Sequence, residues 1–146
     1  DPYARGVFFG LTAKHGRCEM IRAVMEGVAY SLRDCLEIIR DMQVPIHEVR
    51  ASGGGGRSPL WRQMQADIFQ TPIAVVNSKE GPAMGAALLA GVGAGVYRDV
   101  KEACERAIQV VSVQDPIKEN MPIYEKYYEV YKSLYPALKD LYRKLL

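Results

Sequence analysis

At 146 residues, 49% apolar and 25% charged, the chain has the length and composition of one soluble domain with a real core. Its formal net charge is +2, and Lys and Arg are interspersed with acids, so no basic stripe for nucleic acid is present. No apolar run reaches the length of a membrane span, and no secretory signal opens the chain.

The first residue is Asp1, not Met, which reads as the start of a piece of something longer. GVFFGL (6–11), aromatic, β-branched and bounded by glycines, predicts a strand. Residues 15–43 then keep helical period. Ile21, Val24, Val28, Leu32, Cys35, Ile39 and Met42 predict one buried stripe, with Arg22, Glu26, Arg33, Glu37 and Arg40 spaced to pair on other faces. Val44–Pro45 ends that helix. HEVRAS (47–52) reads as a strand running straight into Gly53, Gly54, Gly55 and Gly56. Ser58 followed by Pro59 is a helix start, with Leu60, Trp61, Met64 and Ile68 as its apolar face. PIAVV (72–76) predicts a buried strand, 81–95 a closely packed helix of small residues, and 99–108 a further helix. Asp115–Pro116 marks a turn. From about Asn120 a long helix carries Tyr124, Tyr128, Tyr131, Tyr135, Leu138 and Tyr142 on one face, and Pro136 is expected to kink or restart it. Strands alternating with helices make this an α/β chain with right-handed crossovers and a largely parallel sheet. Cys18, Cys35 and Cys104 are odd in number and lack C-x-x-C spacing, and neither His15 nor His47 sits near one at zinc-ligand spacing. They read as small apolar side chains of a reduced, cytoplasmic protein.

Four successive glycines cost backbone entropy, and they are pinned between a strand and a capped helix, unlike a linker. A strand, a glycine turn and a helix N-terminus together present backbone N–H groups to an anion or nucleotide. The P-loop fails here, because no lysine lies near Ser58. The dinucleotide fingerprint fails too, because position 58 is Ser where a third Gly is needed.

GVFFGLTAKHGRCEMIRAVMEGVAYSLRD resembles a signature of the FGGY carbohydrate kinases, carried by Gly6, Phe8, Gly10, Leu11, Glu19, Met20, Ala23, Val24, Met25 and Glu26. DPYARG before it, SGGGGRSPLWRQMQAD after it and EGPAMGAALLAGVGAG beyond follow in the family's order, so the resemblance covers nearly the whole chain. It implies an actin-like (ribonuclease H-like) ATPase fold, with residues 1–146 as part of the C-terminal nucleotide-binding domain of a two-domain sugar kinase. It implies ATP at Gly53, Gly54, Gly55, Ser58, Pro82 and Gly85, with Gly54 as the backbone that approaches the nucleotide and Ser58 at the adenine. The ligand end is then ribose, adenine and α-phosphate, where the residues alone had pointed to phosphates. The Ser58 position looks like Asn in the family's glycerol kinases, so the adenine contact differs here. D-xylulose is the implied acceptor, with another ketose, gluconate or glycerol as the alternative. Mg2+, the catalytic Asp and the sugar-binding residues are implied in the N-terminal domain, and no Asp-x-Gly occurs here. No catalytic or metal-binding residue is therefore expected in this chain, and Glu19, Glu26 and Asp67 are expected to serve salt bridges, helix ends and packing.

Two other classes stand against the kinase. A nucleotide-switch module of the actin-like superfamily would share the glycine turn but is not expected to carry the 6–34 signature. An interaction domain would use the glycines only structurally. In the implied sheet, GVFFGL and HEVRAS are the third and fourth strands and the first two are missing from between them. Bare inner edges predict a homo-oligomer, or direct pairing of 7–10 with 48–52.

Overall fold

The computed structural model describes residues 1–77 and 81–145, which fall into two compact units, Asp1–Val44 with Lys118–Leu146, and Pro45–Ile117. In the first unit, Glu19 fixes the start of α1 (Arg17–Asp41), its carboxylate accepting the Gly16 N–H at 2.8 Å. The backbone N–H of Glu19 itself, and then that of Gly16, hold its carboxyl below the usual range. α5 (Met121–Tyr142) runs through Pro136 without restarting. On the expected face of α5, Tyr124, Tyr128 and Tyr142 are buried and Tyr131 half-buried, whereas Tyr135 is exposed. Tyr30 of α1 stacks on Tyr128 at 5.9 Å and lies 5.3 Å from the Tyr131 ring, with Tyr124 edge-on at 6.4 Å. The buried Arg33 guanidinium lies 4.0 Å over Tyr128 and donates to Glu125 at 2.7 Å and to Glu37 at 3.2 Å. Tyr128 donates to Asp34 at 2.7 Å, and burial, reinforced by that carboxylate, raises its hydroxyl pKa.

Two expectations fail in this unit. Residues 6–11 form no strand and pair with nothing in 48–52; Val7, Phe8, Phe9 and Leu11 are exposed. The stripe Ile21, Val24, Val28, Leu32, Cys35, Ile39 and Met42 has the expected period but is exposed or only half-buried. The side of α1 that packs on α5 is the charged one, through Ala29, Tyr30 and Arg33, with Arg22–Glu26 paired at 2.8 Å along it. α5 offers tyrosine hydroxyls and a carboxylate, and these suit Arg and Asp better than an aliphatic stripe.

In the second unit, β1 (Val49–Ala51) pairs parallel with β2 (Ile73–Val76) through α2 (Pro59–Phe69), the expected α/β crossover unit. A strand without an obvious sequence signal, β3 (Val110–Gln114), adds antiparallel to β2, so the sheet is mixed rather than largely parallel. Met64 and Ile68 of α2 are buried, worth about 1.5–3 kcal/mol each. Trp61 is half-buried and Leu60 exposed. Asp67, 2% exposed, accepts from Gln63 at 2.8 Å and from the Ile117 N–H at 2.7 Å, tying α2 to the chain leaving β3. α3 (Gly81–Gly93) packs with α4 (Val100–Ala107), but only Leu88 of α3 is buried; among its glycines Gly91 is closely packed, a Cβ there lying 2.8 Å from the Tyr97 ring, while Gly81, Gly85 and Gly93 face open space. Among the described residues the cysteines are unpaired, and Cys18 and Cys35 are exposed rather than core. No described helix is long and apolar enough to cross a membrane.

Asp99 caps α4, accepting the Glu102 N–H at 2.8 Å. That N–H, and then the Arg98 side chain, hold the Asp99 carboxyl below its usual value. A lowered folded pKa means that the cap's contribution is complete above the unfolded value and is lost as pH falls through the folded one. Protection of the Glu102 amide in hydrogen exchange should therefore fall in acid, and should do so much less in Asp99→Asn. Equal acid sensitivity in the two proteins would contradict this origin.

Candidate functional site

β1 ends at Ala51, and the chain passes through Ser52 into the glycines. The four glycines answer to different constraints. Gly53 lies at φ +71°, a conformation L side chains rarely adopt. A Cβ on Gly55 would lie 3.1 Å from Nε1 of Trp61, and one on Gly56 would lie 3.1 Å from the Ala51 carbonyl carbon. Packing keeps those two small. Gly54 has helical dihedrals, φ −60° and ψ −43°, and a Cβ there would meet nothing within 4 Å. The fold does not need glycine at 54.

Hydrogen bonding polarises the turn. The Gly54 carbonyl accepts from the Arg57 N–H at 3.2 Å and the Gly55 carbonyl from the Ser58 N–H at 3.1 Å, forming the 3-10 turn Gly55–Arg57. The Gly56 carbonyl accepts from Nη1 of Arg62 at 2.7 Å. Among the described residues, the amides of Gly53 to Gly56 donate to no acceptor. Acceptors are occupied and donors are open, the arrangement that receives a phosphate or ribose oxygen. Ser58 caps α2 as expected, its Oγ accepting the Trp61 N–H at 3.3 Å, and its own proton remains to donate.

Parallel pairing of Ala51 with Val75 sends the chain out of β1 and β2 at the same end of the sheet. The glycine turn follows one strand there and α3 follows the other. Pro82 and Gly85, in the first turns of α3, are exposed, and a Cβ on Gly85 would meet nothing within 4 Å. Glu80, which opens that motif, lies outside the described residues. Glu19, Glu26 and Asp67 do the structural work expected of them. Glu19 caps α1, Glu26 pairs with Arg22 and Tyr124, and Asp67 tethers β3. No group of three or more His, Cys, Asp or Glu among the described residues could hold a metal. Sequence reasoning missed Arg62, because nothing in its neighbours signals a side chain turning back six residues to a carbonyl.

Residues 1–94 match the model of the FGGY family of carbohydrate kinases, C-terminal domain. The chain is 40% identical over its full 146 residues to the xylulose kinase of Staphylococcus epidermidis (strain ATCC 35984), of which it covers 29%. It is 33% identical to the gluconokinase of Bacillus subtilis (strain 168), covering 100% of this chain and 30% of that protein. The solved structure of ligand-bound xylulose kinase from Lactobacillus acidophilus matches all of this chain and 30% of its own, with a TM-score of 0.87 at 32% identity. The chain thus spans under a third of the length of these relatives, and its structural likeness is to kinases of the actin-like ATPase fold.

Proposed function

The chain belongs to the FGGY family of carbohydrate kinases, and on that footing we propose that it is the nucleotide-binding part of an ATP-dependent sugar kinase. The polarised glycine turn carries the reading: open amides at Gly53 to Gly55, no side chain over Gly54, and β2, the strand before α3, ending at the same end of the sheet. In this reading the turn and Ser58 hold the ribose, adenine and α-phosphate, and Pro82 and Gly85 close the opposite side. The chain's own part is then orientation. It fixes the nucleoside so that the γ-phosphoryl group points at the acceptor hydroxyl. The metal, the catalytic Asp and the sugar pocket belong, in the proposal, to the parent's N-terminal domain.

D-xylulose, converted to D-xylulose 5-phosphate, is the proposed acceptor, supported by 40% identity to a xylulose kinase against 33% to a gluconokinase. ADP formation by the full-length parent, offered D-xylulose, other ketoses, gluconate and glycerol, tests this. The highest kcat/KM should belong to D-xylulose, and a preference for gluconate would replace it. ATP binding without sugar-stimulated turnover would favour a nucleotide switch, and no ATP binding an interaction domain. The apolar side chains exposed along α1 and residues 7–11 support a homo-oligomer, to be read from sedimentation at several concentrations. A monomer throughout would remove it. Cytoplasmic placement belongs to the same proposal and rests on the unpaired cysteines. Fractionation of the producing cells, with the protein outside the cytoplasm, would end it.

A further inference from the structure

Arg62 stands one turn into α2, inside the 52–67 stretch but not among the residues expected at the nucleotide, yet it reaches back to the loop. Its Nη1 donates to the Gly56 carbonyl at 2.7 Å, while its Nε is buried with no acceptor among the described residues. A buried guanidinium N–H without a partner is costly, and placing Arg so that one is left over needs a compensating gain. The structure offers one. Gly54 and Gly55 have their carbonyls closed by backbone N–H groups of the 3-10 turn, but no backbone donor reaches the Gly56 carbonyl. Unclaimed, that oxygen could rotate its peptide toward the ligand, putting a negative end where the amides now stand.

We propose that Arg62 is a positioning residue for the nucleotide: by holding the Gly56 carbonyl it keeps the Gly53–Gly56 turn presenting only donors to the α-phosphate and ribose. The inference rests on the nucleotide reading of this turn. Arg62 does not touch the ligand. It acts through one peptide plane, and a long cationic donor is what the geometry requires. Arg62→Lys keeps a cationic donor of similar reach, whereas Arg62→Met keeps only the stem.

The test is steady-state kinetics of the full-length parent with ATP and its sugar, beside thermal melting. Arg62→Met should raise KM for ATP about ten-fold, leave KM for the sugar within about two-fold, and Arg62→Lys should recover most of the loss. A merely structural Arg62 would lower Tm and move both KM values together, or neither, and either result overturns the proposal. Should Arg62→Met fail to accumulate, Arg62→Gln, too short to reach Gly56, takes its place with the same expected split. Gly54→Val separates the two readings. If it raises KM for ATP while the Arg62 variants do not, the nucleotide site stands and Arg62's role falls. If neither changes KM for ATP, both fall.

Discussion

Gly54→Val in the full-length parent should raise KM for ATP by about ten-fold or more, a loss of about 1.4 kcal/mol or more of nucleotide binding, with KM for the sugar little changed. Glycine at 54 is not needed for backbone conformation, since its dihedrals are helical, nor for packing, since a Cβ there meets nothing within 4 Å. A branched side chain is therefore accommodated by the fold, and its cost falls on whatever approaches the open face. Gly54→Ala sharpens the point. It should leave Tm unchanged or slightly raised, because alanine restricts the unfolded chain by about 0.4–1 kcal/mol at a compatible site. Gly56→Ala is the contrast, because its Cβ would press on the Ala51 backbone at 3.1 Å and should lower Tm. Loss of stability at 54 with no change in KM for ATP would show that the turn is structural and end the nucleotide assignment.

The second unit was largely legible because its signals are local. Ser58–Pro59 caps a helix, glycines end a strand, and both depend on a few adjacent residues. What was not legible depends on partners. GVFFGL has strand composition, but a strand exists only when paired, and among the described residues it has no strand partner. VVSVQ (110–114) lacks bounding glycines and strict alternation, and becomes β3 because the open side of β2 accepts it. On α1 the apolar period is real, but the stripe it marks is exposed. Periodicity says which residues share a face, while the neighbouring element decides which face is covered. Here α5 covers the side bearing Tyr30 and Arg33. At the site, Gly53 and Ser58 were visible as turn and cap, but which glycine is spare and which carbonyl Arg62 holds required coordinates.

The chain by itself should transfer no phosphate to any sugar and bind ATP weakly or not at all. The expected loss is the whole of catalysis, and the reason is geometric. Phosphoryl transfer is mostly orientation and charge neutralisation, and holding reactants correctly is worth effective molarities of about 10^5–10^8 M. In the proposed reading the glycine turn supplies donors for one end of a nucleotide. Nothing among the described residues supplies a metal cluster, and the acids closest to consideration are spent: Glu19 at a helix start, Glu26 on Arg22, Asp67 on Gln63 and Ile117. A turn that contacts only the nucleoside end leaves the γ-phosphoryl group free to rotate in water. Affinity should suffer too, because the chain spans 29% of the length of a xylulose kinase relative and offers one side of a cleft. Purified chain and full-length parent, compared at equal concentration for sugar-dependent ADP and for ATP binding by calorimetry, decide the matter. Sugar-dependent ADP from the chain alone, above a mock preparation and abolished by Gly54→Val, would place the acceptor site and the general base within these 146 residues and reverse the division of labour proposed here.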